Sequence, residues 1–272
     1  MPLPILQTHH RPGREDLIRY FHRTELHWCR QLAEDETQLD VGVALTNPKL
    51  PLVHDANAML DASLPEGFAP AEAIELADAH FRAAGTRCGK WILNASAPPE
   101  RNRPLAEQLI ARGYEEQVQD IMYLAGRPAG AIEEVGGLTL IPARASFRHA
   151  RQLAEESARD WETPQLADAW MLHLEDPQCD SVLALKEGVA AALVIVLTVG
   201  EIGGIQDVFV SEPFRGRGVG RTVMSRALEI CARSLFKHVF LSVDPTNTPA
   251  INLYRKVGFE RIAPLTIYRV RD

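Results

Sequence analysis

From Ile205 to Leu228 the chain runs strand, tight turn, spaced glycines and helix without interruption, and this run limits the folds open to it. Ile205 to Val210 reads as a β-branched and aromatic strand. Ser211-Glu212-Pro213 stops it, because Pro213 cannot donate to a strand ladder. Arg215-Gly216-Arg217-Gly218-Val219-Gly220 follows. Then Val219, Val223, Ala227, Leu228 and Ile230 form an apolar stripe near the 3.6-residue period of a helix. Glycines at such a joint allow positive φ and let a ligand come close to the main chain. The first N–H groups of a helix point outward without partners, with the positive end of the helix dipole behind them. The joint therefore reads as an anion cradle suited to phosphate or pyrophosphate, with Arg215, Arg217 and Arg221 adding positive charge.

Several phosphate ligands can be compared against this loop. A nucleoside-triphosphate loop needs Gly-Lys-Ser/Thr, and Gly220-Arg221-Thr222 has no lysine. A dinucleotide fingerprint needs a third small residue where Arg221 stands. Asp244 does end the next strand, where a ribose-binding acid would sit, but too few residues follow it to complete a doubly wound sheet. Dinucleotide binding ranks below the reading that follows.

Arg215-x-x-Gly218-x-Gly220 after a strand resembles the acetyl-CoA pyrophosphate loop of the GNAT-type N-acetyltransferase superfamily. Downstream, Asn247, Ala250 and the run Leu253-Tyr254-Arg255-Lys256-Val257-Gly258-Phe259 resemble a second signature of that family. The two matches lie in the right order and cover roughly the last half of the chain. The resemblance implies an α+β (mixed α/β) fold, a twisted and mostly antiparallel sheet flanked by helices. It also implies acetyl-CoA as co-substrate. It places main-chain contacts to pantetheine at Val208, Phe209 and Val210. It places pyrophosphate at Arg215, Gly216, Arg217, Gly218, Val219, Gly220 and Arg221, with Asn247 near the cofactor arm. Tyr254 matches the family tyrosine that acts as general acid to the leaving thiolate. Asn247 is also good turn chemistry at a strand end, and a packed tyrosine with a structural hydrogen bond is the plain alternative for Tyr254.

The general base is open. Ile205-Gln206-Asp207-Val208 resembles an Ile-Glu-Asp-Val version of the family, with Gln206 replacing a carboxylate. Asp207 and Glu201 are the nearby acids that remain. Either could take a proton directly or through water, and either could be a solvated strand-end carboxylate. An amine that arrives deprotonated needs no base side chain, because orientation supplies much of the rate.

The first half echoes the second. Leu109-Ile-Ala-Arg-Gly113-Tyr114 parallels Tyr254-Arg-Lys-Val-Gly258-Phe259, and Ile121-Met-Tyr123-Leu parallels Thr266-Ile-Tyr268-Arg. The offset is constant, since 258 − 113 and 268 − 123 both give 145. Repeats of this kind predict tandem units. The first copy lacks Arg-x-x-Gly-x-Gly: Pro70-Ala-Glu-Ala-Ile74 stands at its helix start, and Leu109 takes the place of Tyr254. Two tandem GNAT-like domains follow as the expectation. Residues 1–127 form a degenerate copy without the pyrophosphate loop, 128–137 a glycine-rich linker, and 138–272 the catalytic copy.

Local patterns in the first half predict a helix over 15–34, a strand over 39–45 and a short strand over 56–60. They predict helices over 70–84 and 104–112 and strands over 90–94 and 116–124. In the second half they predict a strand over 138–141, helices over 145–156 and 164–174, a hairpin through Lys186-Glu187-Gly188, and a strand over 237–243.

Composition adds exclusions. At 272 residues the chain allows one large or two ordinary domains, and at 46% hydrophobic it can build real cores. Its formal net charge is −7 with no basic cluster, which argues against a nucleic-acid groove. Four scattered cysteines without a Cys-x-x-Cys pair predict free thiols in a reducing cytoplasm. The nine histidines, including the pair His9-His10, show no ligand spacing, so no metal is expected. No signal layout or membrane-length apolar run is seen. The expected function is acetyl transfer from acetyl-CoA to a primary amine of a small molecule or peptide, in a ternary complex. The alternative is a non-catalytic acyl-CoA-binding or sensing protein. The expected state is a monomer or homodimer.

Overall fold

The computed structural model describes residues 12–125 and 135–270. His9-His10 and the linker positions 128–134 lie outside the described residues. The first half contains α1 (Arg14–Arg30), β1 (Asp35–Leu39), β2 (Gly42–Thr46), β3 (Ala58–Ala62), α2 (Pro70–Ala83), β4 (Lys90–Leu93), α3 (Pro99–Ala111) and β5 (Tyr114–Leu124). The second contains β6 (Leu138–Ile141), α4 (Phe147–Asp160), α5 (Leu166–Glu175), β7 (Cys179–Lys186), β8 (Val189–Val199) and β9 (Ile202–Val210). It ends with α6 (Val219–Arg233), β10 (His238–Val243), α7 (Thr248–Lys256) and β11 (Phe259–Val270).

All eleven strands join one sheet, in the order β1-β2-β3-β4-β11-β5-β10-β9-β8-β7-β6. Among its pairings only β3–β4 and β9–β10 are parallel. Those two parallel pairs occupy matching places in the two halves, each after an antiparallel hairpin pair. The closing strands are exchanged: β11 lies between β4 and β5, and β5 lies between β11 and β10. β5 and β11 pair antiparallel from Tyr114↔Val270 to Leu124↔Phe259. Gly113 and Gly258, the glycines of the sequence echo, both take positive φ, at 92° and 103°, where a helix turns into its closing strand.

The faces of the sheet follow from strand alternation. Leu183, Leu193, Ile195 and Leu197 pack under α4 and α5 together with Trp28 of α1. Their neighbours Val182, Ala184, Val194 and Val196 pack under α6 and α7. On β5, Ile121 meets α1, while Tyr114 joins the α2–α3 cluster and Met122 and Leu124 the α6–α7 cluster. So α1, α4 and α5 cover one face, and α2, α3, α6 and α7 cover the other. Of the stripe expected on α6, Val219, Val223, Ala227 and Leu228 are each at most 3% exposed, and Ile230 is half-buried against them. Each such valine or leucine contributes about 1.5–3 kcal/mol by leaving water.

Two local expectations are corrected. The single strand expected over 39–45 is a hairpin: β1 and β2 turn back through Asp40 and Val41, with Leu39 opposite Gly42. Val41 is buried in that turn, which is why the apolar alternation continued through it. The helix expected to start at Pro104 starts at Pro99, and Pro104 sits inside it. Proline is favoured in the first turn, and Pro99 already satisfies that preference.

Candidate active site

The site lies where β9 and β10 part. They pair only at Ile202↔His238, Gly203↔Val239 and Gly204↔Phe240, although β9 continues to Val210 and β10 to Val243. On its other edge β9 bulges against β8: Gln206 opposes Ile195 and Phe209 opposes Leu193, so Asp207 and Val208 share the span of Val194. Asp207 sits at φ 47°, a left-handed conformation uncommon for a residue with a side chain. The main chain of Val208 to Val210 bonds β8 on one edge and turns its other edge to the gap left by β10.

The first half has a left-handed irregularity at the matching place, in the register of β3 against β4, without the gap. Asp61 takes φ 54° in β3, and 207 − 61 = 146, one more than the sequence offset. Beyond Asp61, however, β3 and β4 stay paired at Ala62↔Leu93, and Asn94 N donates to Ala62 O at 2.8 Å. Only β9 leaves its parallel neighbour.

Next to the gap stands the start of α6. Gly218 is its N-cap at φ 82°, and Gly216 is also left-handed at φ 74°. No side chain caps this helix start, which leaves its first-turn N–H groups to a ligand or water. A Cβ on Gly218 would lie 2.9 Å from Val135 Cγ2, and one on Gly220 3.4 Å from Val210 Cγ2. The loop thus fits a pyrophosphate: bare backbone, left-handed turns and a helix dipole aimed outward. Arg217 and Arg221 are exposed beside it. Arg215 is already engaged, its Nε donating to Val210 O and its Nη2 to Asp160 Oδ2, both at 2.9 Å, with the guanidinium over the Phe209 ring. It ties the loop to the end of α4. Asn247 is engaged too, capping α7 by accepting from Ala250 N at 3.2 Å.

Asp207 Oδ2 is buried, with no hydrogen-bond partner among the described residues. Burial, followed by the charges of Asp55 and Glu25, pushes its carboxyl up to about 7. Tyr254 on α7 is 6% exposed, packs edge-on against Phe259, and belongs to the cluster that holds Val219 and Val223 of α6. Burial pushes its phenol up to about 12, so it keeps its proton at neutral pH. Glu201 is placed elsewhere. It lies in the turn before β9, 65% exposed and paired with Lys237 at 2.7 Å. Six residues of strand, about 20 Å, separate it from Asp207.

Residues 145–259 match the model of the acetyltransferase (GNAT) family. That segment of the chain is similar to the family. A streptothricin acetyltransferase of Streptomyces lavendulae is 38% identical over 55 residues, 20% of this chain and 29% of that one. An N-alpha-acetyltransferase of Sulfolobus acidocaldarius is 37% identical over 67 residues, 24% of this chain and 40% of that one. The matched segments therefore span less than half the length of either relative. Over the whole chain, the fold resembles a GCN5-related N-acetyltransferase from Kribbella flavida. That comparison gives a TM-score of 0.61 at 17% identity and covers 92% of this chain and 95% of that one. A GCN5-related N-acetyltransferase from Sphaerobacter thermophilus gives 0.55 at 18% identity, covering 86% and 75%.

Beside the gap between β9 and β10 lies a buried polar cluster that the motifs did not announce. Gln206 Nε2 donates to Glu25 Oε1 of α1 at 3.4 Å, and Glu25 is 6% exposed. Lys90 of β4 is 1% exposed and donates to Asp55 Oδ1 at 2.9 Å; Arg269 of β11 stands 3.8 Å from the same oxygen. The lysine and arginine hold Asp55 well below the usual carboxylate range. Behind them His173 stacks on Trp28 and stays neutral, its pKa lowered by burial to about 3. One sequence signal pointed here. Glu25 interrupts the buried face of α1 formed by Phe21, Thr24, Trp28 and Cys29, and a carboxylate there needs a reason. Among the described residues no helix is long and apolar enough to cross a membrane.

Proposed function

We propose that this chain transfers the acetyl group of acetyl-CoA to a primary amine, on a small molecule or a peptide, by direct transfer in a ternary complex. The observation that carries this reading is the position of Asp207: a carboxyl poised near neutrality, its Oδ2 unpartnered, at the bulge where β9 leaves β10. Bound acetyl-CoA supplies the activated acetyl group. The main chain from Arg215 to Arg221 binds the diphosphate, and the free edge of Val208 to Val210 pairs with the amides of the pantetheine arm. Asp207 takes the proton that the amine gives up as its nitrogen bonds the acetyl carbon. As the carbon–sulfur bond breaks, Tyr254 donates its phenolic proton to the sulfur. One proton enters the chain at Asp207 and one leaves at Tyr254, so the turnover closes when solvent exchanges them. In this reading the first half is a degenerate copy whose strands stay paired where the second copy opens its slot.

A panel of amines covering polyamines, aminoglycosides, amino acids and peptide N-termini, followed by thiol release from acetyl-CoA, tests the reaction. Acceptor-dependent release of one thiol per acetyl group supports it. Saturable acetyl-CoA binding with no release across the panel would favour a sensing protein.

A further inference from the structure

The residues assigned to catalysis all lie in the second half, yet a carboxylate of the first half touches the residue beside Asp207. Glu25 projects from the buried side of α1, which lies across β8 and β9. Its oxygen accepts from Gln206, the residue just before Asp207, at 3.4 Å. Among the described residues neither Glu25 nor Asp207 is in an ion pair, whereas the third buried carboxylate, Asp55, has both Lys90 and Arg269. Burial raises the Glu25 carboxyl, while the charges of Lys90 on β4 and Arg269 on β11 and the Gln206 hydrogen bond favour its ionised form. The remaining titratable groups packed around the two carboxyls are Cys29 on α1, His173 on α5 and Cys179 on β7. Burial keeps all three neutral near pH 7. Two carboxylates of the first half therefore act on the Asp207 carboxyl: Asp55, which is held in ion pairs, and Glu25, which is in none and touches the strand next to the bulge.

We infer that Glu25 is the positioning residue of this site, holding Gln206 against the bulge and acting on the Asp207 carboxyl through that contact and through its own charge. The first half would then be a working part of the active site, not only a support for it. The inference rests on Asp207 as proton acceptor only for its effect on turnover. Its effect on the carboxyl itself can be read independently.

The experiment uses the full chain with carboxyl-¹³C-labelled aspartate, the Asp207 signal being assigned with Asp207→Asn. In the wild type the Asp207 midpoint is expected near 7. Glu25→Gln removes a like charge and should move the midpoint to lower pH. Gln206→Ala, which keeps the carboxylate and removes its donor, makes Glu25 harder to ionise and should move the midpoint the same way. It also carries the test if Glu25→Gln fails to fold. A role confined to packing would lower the unfolding temperature and leave both midpoints in place, and that result overturns the inference. The pH profile of kcat/KM is recorded in parallel. If the midpoint moves and the profile does not, the inference stands and Asp207 is not the base. If both move together, both hold.

Discussion

Gly204 is the last residue of β9 in register with β10, opposite Phe240, and three residues later Asp207 turns left-handed at φ 47° in the stretch that β10 no longer pairs. The slot and the carboxyl therefore arise from one local event, the departure of β9 from its parallel neighbour. In the first half Asp61 repeats the left-handed conformation, but Ala62 remains opposite Leu93 and no slot opens.

The raised carboxyl of Asp207 gives a prediction in two parts. Activity, as kcat/KM, should rise as pH passes about 7 and Asp207 loses its proton. Asp207→Asn should remove that limb and lower kcat by roughly 100-fold or more. Stability should move the other way. Between the ordinary carboxylate pKa and about 7, the unfolded chain releases the proton while the folded chain keeps it, so ionisation costs folded stability as pH rises. Asparagine escapes that cost. Thermal unfolding of Asp207→Asn should show a Tm a few degrees above the wild type at pH 8, with the gain vanishing near pH 4.

Tyr254 should act on the chemical step. Its hydroxyl is the only part that Tyr254→Phe removes, and the ring still fills its place against Phe259. The substitution should lower kcat by roughly 100-fold while changing the KM for acetyl-CoA much less. Steady-state kinetics with a thiol reagent measure both. Unchanged kcat and an unchanged pH profile would remove Tyr254 from the mechanism.

The exchanged closing strands predict that the halves do not fold separately. Cutting the chain between 125 and 135 leaves β4 without β11 and β10 without β5, exposing the edges of two sheets. Each half expressed alone should show no cooperative thermal transition by circular dichroism, and co-expression should restore one. Independent cooperative folding of either half would contradict the strand order.

What the sequence disclosed and what it withheld divide along the range of the interactions. The loop from Arg215 to Gly220, the stripe from Val219 to Leu228 and the helix-ending glycines Gly113 and Gly258 are set by nearby residues, and their patterns predicted their geometry. The strand exchange was not legible. β5 and β11 carry the same repeat pattern, and nothing within either one says which half it closes. The cluster of Glu25, Asp55, Lys90 and Gln206 left one trace, the carboxylate on the buried face of α1, and its assembly was hidden because its members come from four separate elements. Arg215 and Asn247 were found as positions, but their side chains hold the loop and a helix cap, which a motif does not state. Glu201 was close to Asp207 along the chain, but an extended strand carries it to the opposite end of β9.

The central claim is that the backbone at the start of α6 grips the diphosphate of acetyl-CoA, and calorimetric titration of the full chain tests it most directly. Gly218 is left-handed at φ 82° and has 2.9 Å between its missing Cβ and Val135, so Gly218→Asp adds strain, bulk and negative charge at that one point. The account predicts one saturable acetyl-CoA site per chain in the wild type, weakened at least roughly 100-fold in Gly218→Asp. Equal affinity in a folded Gly218→Asp protein, or no binding by the wild type, would contradict it.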